Sequence, residues 1–276
     1  MATRHFGVST HLFHGQRLNR RHLLDIAAHD FGRVELAATR SHFDYHNPSA
    51  VGDLHEWLAD AGLELASVHA PVAERVVGGR SEGVFSLASP DRAARERALA
   101  EAERALHIAR RIPFRALVVH LGLLRPAENS RDAARRSIDA LHDMADPLGV
   151  TVALEVIRNE LSRPGSLTHF VEDALERPGV GICLDVGHAH LEGELADDIE
   201  TVSEHLAAID LHDNGGRNDD HLVPFEGAID WPGALTAIQK VGYDDTLMFE
   251  LAQRGPAKDT LKKAAAARER MTRLLA

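Results

Sequence analysis

Cysteine is all but missing from the chain: Cys183 stands alone among 276 residues. No intrachain disulfide can form, so a reducing, cytoplasmic compartment is expected. No apolar run approaches the ~18 residues a membrane span needs. The start, Met-Ala-Thr-Arg-His-Phe-Gly-Val, enters a strand-like stretch almost directly and has no signal-peptide character. Positive charge is scarce too. A formal net charge of −11 and no basic tail argue against broad contact with a phosphate backbone and disfavour nucleic acid as a partner, while leaving room for a local cationic groove. No shift in composition marks a second domain, and no repeat exceeds a strand-helix unit. Residues 1–276 are therefore expected to form one domain, and 44% hydrophobic residues can fill its core. The sequence leaves the oligomeric state open, a homo-oligomer included.

What is present in excess is histidine, at 18 residues. His22, His29, His55, His107, His142 and His169 fall in helix-like stretches and are expected to be solvated. Strand-like runs are predicted at Phe6–Ser9, Arg33–Ala37, Leu65–His69, Ala116–His120, Val150–Val156, Val180–Val186, Ala207–His212 and Thr246–Leu251. Amphipathic stretches separate them. One is expected to open at Ser89-Pro90, a capping oxygen followed by proline; another, near Ser166–Glu176, leads into the sixth strand. The segment 38–48 carries Arg40, His42, Phe43, Asp44 and Tyr45, side chains able to touch a ligand. The segment 76–84, with Gly78, Gly79 and Gly83, reads as a mobile loop over the mouth. Eight strands, each followed by a helix, predict a single (β/α)8 TIM barrel with its active site at the C-terminal ends of the strands.

The stretch Ile182-Cys183-Leu184-Asp185-Val186-Gly187-His188 organises the rest. Alternation sends Cys183 and Asp185 inward, and Gly187 is expected to let the chain turn sharply and bring His188 near Asp185. Other strands end alike: Glu35, His69, His120, Glu155, Asp210 or His212, and Glu250 all sit at or near the last inward position of apolar runs. In Phe249-Glu250-Leu251 the flanking apolar residues face the helices, so Glu250 projects into the barrel, and Glu155 does the same. Carboxylates converging on one mouth repel unless a cation lies between them. Oxygen-rich donors with a nitrogen suit Mn²⁺, Mg²⁺, Co²⁺ or Zn²⁺.

The motifs Ser-Val-His-Ala-Pro (67–71), Val-Val-His-Leu-Gly (118–122), Ala-Leu-Glu-Val (153–156), Leu-Asp-Val-Gly-His (184–188), Leu-His-Asp-Asn (211–214), Asp-Asp-His-Leu (219–222) and Phe-Glu-Leu (249–251) span nearly the whole chain. In them it resembles the xylose-isomerase-like TIM barrel superfamily of sugar isomerases and epimerases, which also contains metal-dependent apurinic endonucleases. The resemblance implies that Glu155, Asp185, a residue of the seventh strand and Glu250 hold a divalent metal. It implies that Glu155 and Glu250 move the proton, while His188 and Arg217 hold the substrate; His69 and His120 are placed with them. The family's His-x-x-Asp pattern, counted back from Asp213, falls on Asp210; His212 lies nearer the mouth and is preferred. A multinuclear zinc site of the endonuclease kind would add His69, His120, His188, Asp219 and His221. The stretches Val-Ile-Arg-Asn-Glu (156–160) and Pro-Phe-Glu-Gly (224–227) depart from that branch. The implied activity is metal-dependent isomerisation or epimerisation of a sugar, sugar phosphate or related polyol through an enediolate. The alternatives are an apurinic-site endonuclease and a non-catalytic metal-binding barrel.

Overall fold

The computed structural model describes residues 5–77, 80–175 and 178–276. Among the described residues ten strands form: β1 (Phe6–Ser9), β2 (Arg33–Ala37), β3 (Glu64–His69), β4 (Ala73–Val77), β5 (Arg80–Val84), β6 (Ala116–Val119), β7 (Thr151–Glu155), β8 (Val180–Asp185), β9 (Leu206–Leu211) and β10 (Leu247–Phe249). The helices are α1 (Arg20–Ala27), α2 (Pro48–Ala61), α3 (Arg92–Leu106), α4 (Arg131–Ala145), α5 (Pro164–Phe170), α6 (Val186–Glu192), α7 (Leu195–Val202), α8 (Trp231–Lys240) and α9 (Ala257–Leu275). Eight strands pair in parallel in the order β1-β10-β9-β8-β7-β6-β3-β2, and β1 bonds to both β2 and β10. The sheet therefore closes into a (β/α)8 barrel, as the alternation of strands and helices predicts.

Alternation along each strand sorts the core into two. Val8, Leu36, Val68, Leu117, Leu154, Leu184, Leu211 and Phe249 face outward and pack beneath the helices. Inside the barrel, Ala116, Val118, Ala153 and Cys183 make a separate cluster of small side chains. A Cβ on Gly7 would lie 2.7 Å from Met248 Cε, so this glycine gives the methionine room in the lumen.

Four local expectations are corrected. The segment read as a mobile loop at 76–84 belongs to a β4–β5 antiparallel hairpin, with Arg75 paired to Glu82 at 2.7 Å; Gly78 and Gly79 lie outside the described residues. Helix α3 begins two residues after Pro90, because Asp91 Oδ1 accepts the Ala94 amide at 2.6 Å and supplies the cap. In the segment 38–48, His42, Phe43 and Tyr45 turn into the core; His42 Nδ1 bonds the Gln16 carbonyl at 2.7 Å and the Tyr45 hydroxyl donates to Glu101 at 2.6 Å. His22 and His142 are buried rather than solvated, and His142 Nε2 bonds the Pro178 carbonyl at 2.7 Å. The helix expected near Ser166–Glu176 does form, as α5 continued by a π-helical turn at Val171–Leu175; Glu176 lies outside the described residues.

Candidate metal centre

Glu155 closes β7 facing inward, where the pleat puts it once Leu154 has taken the outer face. Its Oε2 lies 2.9 Å from His69 Nε2, at the end of β3, and 2.8 Å from His120 Nε2, one residue past β6. Its Oε1 lies 3.5 Å from His188 Nδ1.

Asp185 ends β8 and caps α6, its Oδ1 accepting the His188 amide at 2.7 Å. Gly187 is therefore helical instead of forming a sharp turn. Its bare backbone serves another end: a Cβ there would lie 2.0 Å from His212 Cε1, so the His212 ring rests directly on it. That ring puts Nε2 3.0 Å from Asp185 Oδ1 and 3.4 Å from Asp219 Oδ1.

Asp219 and His221 reach the mouth because Asp213 folds the segment that carries them. The buried Asp213 carboxylate accepts the amides of Asn214 (2.8 Å), Phe225 (2.9 Å), Gly227 (3.0 Å) and Ile229 (3.2 Å) and the Trp231 indole N–H (2.8 Å). Asp219 Oδ2 then sits 3.1 Å from His188 Nε2 and 3.3 Å from His221 Nε2. Glu250, just past β10, brings Oε2 to 3.4 Å from His221 Nδ1.

Ligand atoms thus fall within 4.8 Å of one another in four overlapping groups: His69, His120 and Glu155; Glu155, Asp185 and His188; His188, His212, Asp219 and His221; and His11, His221 and Glu250. Most of these side chains line one cavity of about 150 Å³. A neighbouring hollow of about 280 Å³, walled by Leu123, Leu124, Ile157 and Arg158, shares His120, His188 and Asp219 with it.

Burial alone would neutralise these groups, yet their mutual contacts reverse it. Burial raises the Glu155 carboxyl, but His120 and His69 more than offset it and hold it well below the usual carboxylate range. Burial would lower His69 and His188; Glu155 acting on the first and Asp185 on the second lift both well above an ordinary imidazole. Against the same burial, Glu250 and Asp219 raise His221 to about 9. The surrounding carboxylates thus favour the protonated forms of His69, His188 and His221.

The donor set fits a divalent metal. Nδ1 of His69, His188 and His221 bonds a main-chain carbonyl, of Ala70 (2.9 Å), Val156 (3.0 Å) and Glu250 (3.1 Å), and His212 Nδ1 lies 3.4 Å from the Asp213 carbonyl. Anchoring one ring nitrogen on a carbonyl and freeing the other is how metal-ligating histidines are held. His212 Nε2 and Asp185 Oδ2 are buried without any hydrogen bond.

Asp210, the other strand-seven candidate, lies deeper. Its Oδ2 accepts the Cys183 thiol at 3.1 Å, and burial, with Glu35 and Glu250 nearby, pushes its carboxyl well up. Glu35 is deep as well, bonded by the Ser67 hydroxyl at 2.8 Å and raised to about 7, chiefly by burial. Arg217 is exposed on the segment after β9. Sequence reasoning missed His11 and Asp213; the first lies in a 3-10 turn without periodicity, and the second binds main-chain groups that leave no pattern.

The fold gathers strand-end carboxylates and imidazoles at the barrel mouth, in groups that could hold a metal ion. The chain belongs to the xylose isomerase-like TIM barrel family, whose profile matches residues 23–274. It is 27% identical over 230 residues to 2-oxo-tetronate isomerase of Pectobacterium atrosepticum, covering 79% of this chain and 82% of that protein. A D-tagatose 3-epimerase-like protein shares the fold with a TM-score of 0.82 at 23% identity, covering 100% of this chain and 97% of that one. The IOLI protein, crystallised with a zinc atom, superposes with a TM-score of 0.77 at 18% identity, covering 100% of this chain and 98% of that one. No helix among the described residues is long and apolar enough to cross a membrane.

Proposed function

We propose that this protein is a divalent-metal-dependent isomerase or epimerase of a sugar, sugar phosphate or related polyol. One observation carries the reading: two inward carboxylates, Glu155 and Glu250, line the same 150 Å³ cavity among the imidazoles. Glu155, Asp185, His212 and Glu250 would hold the cation, Mn²⁺, Mg²⁺, Co²⁺ or Zn²⁺. Held there, it supplies a Lewis acid for a carbonyl and its neighbouring hydroxyl. One glutamate removes the proton from the carbon beside the carbonyl, giving an enediolate, and the other returns a proton. His188, His69 and His120 contribute hydrogen bonds to substrate oxygens, and Arg217 closes from its loop. The zinc of the IOLI protein and the isomerase activity in the name of the Pectobacterium relative support this reading.

A second reading has one observation of its own. Beside Glu155, Asp185, His212 and Glu250, the residues His69, His120, His188, Asp219 and His221 of the endonuclease ligand set also converge on this mouth. A multinuclear phosphodiesterase would use such a set to cut DNA at an abasic site. The net charge of −11 opposes it.

Incubation with ketoses and inosose-like polyols in D₂O separates the two. Deuterium should enter the carbon next to the carbonyl, and Glu250→Gln should abolish that exchange, since an amide cannot accept the proton. Salt-sensitive cleavage of an abasic duplex that is lost in His221→Ala and Asp219→Asn, with no exchange across the panel, would overturn the isomerase. Neither activity would leave a non-catalytic barrel.

A further inference from the structure

The β1 side of the cavity, next to Glu250, carries an imidazole that the proposed chemistry does not employ. His11 sits in the 3-10 turn Thr10–Phe13 that follows β1, with Ser9 Oγ accepting its amide at 3.2 Å. Its Nδ1 bonds the Leu251 carbonyl at 3.2 Å, one residue past Glu250. Its ring lies parallel to His14 at 4.4 Å and faces His221 at 4.9 Å. The ring is therefore fixed from two sides, by a carbonyl at one nitrogen and by stacking on one face. With the proton committed at Nδ1, Nε2 keeps its lone pair, and His11 is one of the residues that line the cavity. His69, His188 and His221 are anchored on carbonyls through the same ring nitrogen. One ligand atom from each of His11, His221 and Glu250 lies within 4.8 Å of the other two, and His11 enters no other such group among the described residues.

We propose that His11, His221 and Glu250 form a second cation position at the β1–β10 side of the mouth, sharing the Glu250 carboxylate with the cation proposed above and having His11 as its dedicated ligand. Two imidazoles and one carboxylate, with the remaining coordination open to the cavity, are a donor set for Zn²⁺ or a similar borderline cation. The position stands apart from the His69–His120–Glu155 group, with which it shares no residue, and meets the Asp219 group only at His221. The barrel mouth then holds more cations than the single one that proton transfer between Glu155 and Glu250 requires. The inference rests on the proposed function only in that the mouth binds divalent metal.

The test is metal counting and needs no substrate. Chelator-stripped protein is titrated with Zn²⁺, passed through gel filtration and analysed for zinc per chain. His11→Ala should carry one equivalent fewer than the wild type. Failing that, its last equivalent should weaken by more than the about 10–100-fold that loss of an outer-shell partner costs. His11→Gln should behave the same way. In the wild-type chain, Zn²⁺ should protect His11 from acylation by diethyl pyrocarbonate, read by peptide mass spectrometry; this decides the matter even where a variant fails to fold. An unchanged zinc count and affinity in folded variants, or equal acylation of His11 with and without Zn²⁺, overturns this position alone. A wild-type chain that takes up no metal overturns it together with the proposed function.

Discussion

The two ends of the barrel balance charge in opposite ways. At the N-terminal end, Arg33 bonds Glu64 at 3.1 Å, Asp245 at 2.9 Å and the Thr246 hydroxyl at 2.6 Å, while Arg115 pairs with the same Asp245. Two guanidinium groups meet two carboxylates, and the cavity there is only about 30 Å³. At the C-terminal end, Glu155, Asp185, Asp219 and Glu250 face histidines instead, around about 150 Å³ of space. An arginine always carries its charge; an imidazole can surrender its proton to make way for a metal. One end is closed and its carboxylates meet fixed guanidinium charge, whereas the carboxylates of the other meet imidazoles whose protons exchange.

The comparison breaks most completely at Glu155. Glu155→Gln should prevent metal from surviving gel filtration and remove the rise in melting temperature that metal gives. With free metal at about 100 times Kd, that rise corresponds to about 3 kcal/mol. Retained metal and an unchanged thermal shift would show that Glu155 is no ligand.

His42 sharpens the contrast among histidines. His221, beside two carboxylates, is raised to about 9, whereas burial lowers His42 to about 4 despite its bond to the Gln16 carbonyl. With a folded value below the unfolded 6.5, its contribution is complete above pH 6.5 and is lost as pH falls to about 4. Denaturant unfolding of chelator-treated protein should lose about 3 kcal/mol across that window. His42→Phe should flatten the slope; a parallel pH dependence in both proteins would refute the assignment.

Next in size is the closed end. Arg33→Met should cost about 2 kcal/mol of unfolding free energy, since its partners are partly exposed and solvent screens the pair. Zinc content should not change. Metal loss in this variant would mean the two ends are coupled. Smallest is Arg217→Ala, which should raise KM a few-fold, about 1 kcal/mol, without altering metal occupancy; unchanged kinetics would mark it as a solvated loop charge.

The inward carboxylates were legible because alternation fixes their direction: in Phe249-Glu250-Leu251 or Leu154-Glu155-Val156 only one side chain can face the lumen. Depth along a strand was harder to read. Asp210 and His212 share a face, and it is contact distances that put the second beside Asp185 and the first against Cys183. Glycine misled twice, since Gly78, Gly79 and Gly83 suggested a loop where a hairpin forms, and Gly187 suggested a turn where a ring needed space. Composition likewise hid the buried histidines, because a helix's polar residue looks solvated until its neighbours are known.

Asp213 gives the stretch up to Trp231 an all-or-none character. Four amides and an indole converge on one carboxylate, so no part of the stretch can be replaced independently of the rest. For anyone re-engineering the barrel, the unit of exchange is a cassette from Asp213 to Trp231, transplanted whole. Asp219 and His221, carried between those anchors, keep their distances to His188 and to each other only while that clasp is intact.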